Sequence, residues 1–101
     1  MAAAAARAGD QTEHGSPLGP APGSHNVFIG SMPAWRAGID VHACPVSEGN
    51  KPHVGGVVFK GSSRVTINGQ PAARRGDTIS EPSASKDNSI TSGYDKVQIG
   101  D

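Results

Sequence analysis

Val65-Thr66-Ile67-Asn68-Gly69-Gln70-Pro71-Ala72-Ala73-Arg74-Arg75-Gly76-Asp77 spells out a strand, a tight turn, a second extended piece and a glycine turn in one run. Val-x-Ile sets two β-branched side chains on one face of a short strand, and that face is expected to point inward. Asn68-Gly69 accepts the positive φ that a two-residue hairpin turn demands. Gly76 supplies a further such position after the second piece, as Gly9 and Gly38 do elsewhere.

Both halves of this run recur. Gly61-Ser62-Ser63-Arg64-Val65-Thr66-Ile67-Asn68-Gly69 aligns with Gly23-Ser24-His25-Asn26-Val27-Phe28-Ile29-Gly30 and with Gly93-Tyr94-Asp95-Lys96-Val97-Gln98-Ile99-Gly100. Pro71-Ala72-Ala73-Arg74-Arg75-Gly76 matches Pro33-Ala34-Trp35-Arg36-Ala37-Gly38 and, at the opposite end, Ala4-Ala5-Ala6-Arg7-Ala8-Gly9. A repeat decides the architecture of so short a chain. The order predicts a single domain over residues 1–101 in which the N-terminal stretch completes the unit that the C-terminal stretch begins. Three pseudo-equivalent blocks then surround an axis, and the termini lie close together. Arg7, Arg36 and Arg74 are expected simply to solvate a loop or to pair with Asp10, Asp40 or Asp77 of their own blocks, an arrangement worth little when exposed.

Composition agrees with an all-β reading. The chain has 101 residues, 14 glycines and 8 prolines, so few ordinary helices fit between breakers. Its packing aliphatics are nearly all valine and isoleucine, against the single leucine Leu18. The 35% hydrophobic content is inflated by alanine, which leaves a small core and a need for some other staple. Nine basic residues balance nine acidic ones, which argues against nucleic acid as a partner. The alanine stretch from Ala2 to Ala8 reads as an extended lead-in, too short and weakly apolar for a secretory signal, and no membrane span is expected.

Pro71-Ala72-Ala73-Arg74, set between Val65-Thr66-Ile67-Asn68-Gly69 and Gly76-Asp77, resembles the motif that names the PAAR-repeat family. The resemblance runs through essentially the whole chain, from Ala6-Arg7-Ala8-Gly9-Asp10 onward. Trp35 stands where the second alanine of the motif is expected, and Ile39 is an insertion before Asp40. The resemblance implies a small cone-shaped β fold with pseudo-threefold symmetry. Its blunt base is expected to dock, as a monomer, on the trimeric VgrG spike of a type VI secretion system, and similar tips occur on contractile phage-like tails. The implied function is mechanical: the tip sharpens the spike for membrane piercing and helps recruit secreted effectors. It would be made in the donor cytoplasm without a signal peptide and expelled by the type VI apparatus into the target cell. Toxin extensions of larger relatives have no counterpart here, so the chain is not expected to be toxic itself.

The residues also point to a metal. A lone cysteine, Cys44, forms no intramolecular disulfide and is left as a buried thiol, a reactive thiol or a ligand. His14 follows Asp10 by four positions and Cys44 follows Asp40 by four, so two blocks present ligands from symmetry-related directions. His42 and Cys44 are two apart, on one face of an extended segment. His53 sits in the Gly/Pro-rich excursion from Pro45 to Gly55, a loop able to fold back as fourth ligand. The third block offers only Glu81 at the matching place, a harder carboxylate, and His25 occupies a variable position ahead of a strand and is excluded. The expected set is His14, His42, Cys44 and His53 around one structural zinc near the apex. It is similar to the three-histidine, one-cysteine set of the resembled family.

Two other readings compete with this one. Cys44 paired with His42 or His14 would make a thiol- or zinc-dependent enzyme. A metal-free β adaptor would carry its histidines incidentally. Neither a His-Glu-x-x-His run nor a Gly-x-Ser-x-Gly elbow occurs, and a non-enzymatic tip is the expectation.

Overall fold

The computed structural model of the chain describes residues 3–19, 21–43, 47–48, 51–52, 56–81 and 88–100. Among them every regular element is a strand, most only two residues long. Glycine and proline leave no longer runs, and β-branched residues fit the pleat.

Two hairpins repeat one design. β2 (Phe28–Ile29) pairs antiparallel with β3 (Met32–Pro33) across Gly30-Ser31, and β7 (Thr66–Ile67) pairs with β8 (Gln70–Pro71) across Asn68-Gly69. Both central residues of each turn have positive φ, from 54° to 82°, as a two-residue turn between right-twisted strands requires. In the third position the partner comes from the far end of the chain. β1 (Ala3–Ala5) pairs antiparallel with β11 (Tyr94–Ile99), Ala3 opposite Ile99, so the first and last strands close against each other.

The excursion read as a loop carries a hairpin of its own, β4 (Ser47–Glu48) with β5 (Lys51–Pro52). β6 (Val57–Val58), β9 (Thr78–Ser80) and β10 (Asn88–Ser89) form a three-stranded sheet with β9 in the middle.

Rings of main-chain hydrogen bonds link the blocks. Ala6 N–H donates to Ala73 O, Ala73 N–H to Trp35 O, and Trp35 N–H to Ala6 O, each at 3.0 Å. A second ring joins Ala8 to Pro33, Ala37 to Pro71 and Arg75 to Ala4, each at 2.8 Å. These links, with the antiparallel bridges Ala5 to Arg74, Arg7 to Ala34 and Arg36 to Ala72, satisfy buried amides from three directions around one axis.

Two apolar layers stack on that axis. Ala5, Ile29, Ala34, Ile67, Ala72 and Ile99 make the first, and Ala6, Leu18, Trp35, Ala37, Val58, Ala73, Ile79 and Ile90 the second. Alanine is buried at the motif positions because the backbones approach closely and leave no room for three larger groups. Trp35 is the exception. It lies in the second layer with no exposed surface, a packing residue rather than an element of a docking face.

Val-x-Ile is inward-facing only in part. Ile29, Ile67 and Ile99 are buried, whereas Val65 and Val97 are 37% and 36% exposed. Val97 lies in β11 and Val65 just before β7, and neither belongs to the buried first layer that holds Ile67 and Ile99.

The Arg–Asp pairs form within each block, but they are not surface pairs. Asp10, Asp40 and Asp77 are only 5%, 3% and 9% exposed. Each carboxylate accepts the backbone N–H of its arginine at 2.7–2.8 Å through Oδ2, and Nη2–H at 2.7–3.0 Å through Oδ1. The inserted Ile39 is accommodated by an outward bulge. It is exposed, and Asp40 N–H lies 3.4 Å from Arg36 O where the equivalent bonds are 3.0 Å. Asp77→Ala strands the Arg74 amide and leaves the guanidinium without its carboxylate, though still donating to Gly100 O at 3.2 Å. It is expected to destabilise the chain by about 2 kcal/mol, less than for a fully buried pair because the guanidinium keeps some water. A denaturant midpoint unchanged within error would show the pair to be incidental.

Candidate metal centre

The chain leaves each Arg-x-Gly turn through a buried aspartate and runs on into a polar layer continuous with the second apolar layer. Two residues past each aspartate, Thr12, His42 and Ile79 are buried. Two further on come His14, Cys44 and Glu81.

His42 is fully buried. Its backbone exchanges two hydrogen bonds with Gly56, at 2.8 and 2.9 Å, anchoring it beside β6. Only glycine fits there, because a Cβ at position 56 would fall on the carbonyl of Ser80. His42 Nε2 lies 3.2 Å from Ser16 Oγ, and Ser16 is held by Thr12, whose hydroxyl donates to Ser16 O at 2.6 Å. Nδ1 is buried with no hydrogen-bond partner among the described residues. Burial pushes the His42 pKa below its ordinary value, outweighing the opposite pull of Glu81 and of the Gly19 and Pro17 carbonyls. The ring is therefore neutral at neutral pH, the form that ligates a metal.

His14 approaches the same layer from the first block. Its amide donates to Asn88 Oδ1 at 2.9 Å, and its Nδ1 lies 3.3 Å from Glu81 Oε1. The Glu81 side chain has no exposed surface. The fold thus brings His14, His42 and Glu81 into one buried polar layer. Cys44 and His53 lie outside the described residues. Among those described, no three histidine, cysteine or acidic groups stand close enough to hold a metal. His25 is exposed.

The described histidines suit a nitrogen-ligated ion. One ring nitrogen each of His14 and His42 lies beside a protein oxygen, and Nδ1 of His42 is buried with no hydrogen-bond partner among the described residues. Ser16 and Asn88 carry no repeat signature that would have flagged them. Glu81 does, since it follows Asp77 by four as His14 follows Asp10.

Three blocks closed by main-chain rings, two stacked apolar layers and a buried histidine–carboxylate layer define a pseudo-threefold β-repeat protein. Residues 48–101 match the PAAR motif family, and the chain belongs to that family. No curated protein matches it.

Proposed function

We propose that this chain is the non-enzymatic tip of a type VI secretion spike, seated by one end on the blunt face of the VgrG trimer. The observation that carries this reading is the ring closure. A single chain that presents three near-equivalent blocks around an axis matches a three-chain partner as no asymmetric monomer surface can. Each block also leaves an exposed apolar side chain beside the first layer: Phe28 and Met32, Val65, and Val97. Such residues suit an apolar docking face ringed by unpaired strand edges.

In this reading the tip sharpens the spike for membrane piercing, helps recruit effectors, and passes with the spike from the donor cytoplasm to the target cell. His14, His42, Cys44 and His53 hold one structural zinc ion, whose chemistry is that of a cross-link in a layer too narrow for an apolar core. Mechanical action rather than turnover agrees with the siting of the histidines. His42 is buried and His14 half-buried, and the cavity of about 400 Å³ beside Phe59, Lys60 and Pro71 has no histidine or carboxylate in its lining.

Mixing the purified chain with a purified VgrG trimer and weighing the complex by native mass spectrometry tests the proposal. One chain per trimer is expected. Three chains per trimer, or no complex at micromolar concentration, would overturn it.

A further inference from the structure

The three blocks meet along three seams of one design, and the seams differ in what covers them. At the first, Ala8 N–H donates to Pro33 O and Gly9 N–H to Leu18 O; at the second, Ala37 N–H donates to Pro71 O and Gly38 N–H to Val58 O. Met32 lies across the first, its terminal methyl 3.6 Å from where a Cβ on Gly9 would stand. Gln70 takes the place of Met32 in the second hairpin, and the same point on Gly38 has nothing within 4 Å. At the third seam, where Arg75 N–H donates to Ala4 O and Gly76 N–H to Ile90 O, Arg75 replaces Ala37 and Thr91-Ser92 replaces Phe59-Lys60. The cavity of about 400 Å³ lies at the second seam, within the size range of ligand sites.

Its chemistry is mixed in a particular way. Ala37, Pro71 and Phe59 give an apolar lining, with Phe59 78% exposed, and Lys60 and Gln70 add an ammonium and an amide. Residues 56–76 carry Lys60, Arg64, Arg74 and Arg75 and no acid, in a chain whose net charge is zero. Arg74 and Arg75 have Asp77 and Asp95 beside them, whereas the side chains of Lys60 and Arg64 meet no carboxylate among the described residues. A ligand that complements this seam is therefore both apolar and anionic.

The apolar surface continues beyond Gly38. Ile39 and Val41 are exposed and alternate with buried Asp40 and His42, and the bridge from His42 to Gly56 sets this row alongside β6. The residues that follow the other two aspartates as Val41 follows Asp40 are polar, Gln11 and Thr78. An extended chain displays its side chains at the same two-residue spacing, so the row fits a polypeptide segment better than a small molecule.

We infer that the second seam binds an extended segment of a partner protein in which apolar side chains stand next to carboxylates. One apolar side chain enters beside Ala37 and Phe59, and a neighbouring carboxylate pairs with Lys60. This rests on the effector-recruitment part of the reading above and gives it a surface. Its residues are distinct from Phe28, Met32, Val65 and Val97, the side chains assigned to VgrG.

The test is fluorescence polarisation of the full chain with a labelled peptide of about eight residues, alternating leucine and aspartate. A second peptide carries lysine in place of aspartate. Wild type is expected to bind the acidic peptide, more weakly as salt is raised, and the basic one about tenfold more weakly. Lys60→Glu is expected to weaken the acidic peptide about tenfold, since an attractive pair becomes a repulsive one. Gln70→Met copies the covered first seam and is expected to weaken both peptides. Lys60 is exposed and Gln70 half-buried, so both variants should melt with wild type. No binding of the acidic peptide by wild type, or equal binding by both variants, would overturn the inference. So would a dimer of the chain that Lys60→Glu dissociates, because the seam would then belong to a second copy. Peptide binding is measured without VgrG, so a failed spike complex leaves this inference standing, and a failed peptide leaves the spike complex standing.

Discussion

Alanine at His42 is expected to abolish stoichiometric zinc binding and, with it, cooperative folding near room temperature. The argument begins with how little else there is. The apolar layers are built largely from alanine, valine and isoleucine, and domains of this size are stable by only about 5–15 kcal/mol. A structural zinc contributes on the order of 10 kcal/mol, comparable to that whole margin. His42 is the described residue best suited to ligate: it is fully buried, held neutral by burial, and tied through its backbone to Gly56. Its removal takes out a ligand and also opens a hole beside the second layer. Metal analysis with thermal unfolding, wild type beside His42→Ala and each with and without chelator, reads both effects. Chelated wild type should unfold close to the variant. Zinc-free wild type with an unchanged melting temperature would sink the staple and leave the ring closure as the source of stability.

Trp35→Ala is expected to destabilise the chain by about 3–5 kcal/mol, which for a chain of this length lowers Tm by about 10–25 °C. Motif reasoning alone suggests the opposite, because alanine occupies both equivalent positions, Ala6 and Ala73. The structure shows why the three positions are not interchangeable. Their amides and carbonyls close a ring, and the space beside that ring, walled by Leu18, Val58, Ile79 and Ile90, is filled by the indole. A ring bonded on three sides cannot collapse into the void that alanine would leave, so the cavity cost is felt nearly in full. Thermal and denaturant unfolding of the variant with metal bound gives the measurement. A Tm within a few degrees of wild type would mean that the layer relaxes and that the tryptophan is dispensable.

Part of the polar layer was legible beforehand. Buried His42 and half-buried His14 both follow their aspartates as the repeat predicts, and the count of four from each aspartate marked Glu81 as the third member of its set. The contact between Glu81 and His14 was not legible, since it joins residues 67 positions apart. Ser16 and Asn88 were invisible for the same reason: each acts on a histidine from another segment.

What the sequence determined by itself is whatever depends on neighbours along the chain. Asn68-Gly69 makes a positive-φ turn, Gly9, Gly38 and Gly76 make another kind, and each arginine finds an aspartate three or four residues on. These are short-range hydrogen-bond patterns, and a repeat in sequence is enough to repeat them. Only the tertiary structure decided which side chains those blocks bury. It exposed Val65 and Val97 while burying their isoleucine partners, buried carboxylates that read as surface charges, and turned Trp35 into the filling of the second layer. The physical reason is closure. Burial in this chain is created by rings that join residues distant in sequence, so it depends on how three blocks meet around the axis and not on the pattern within any one of them.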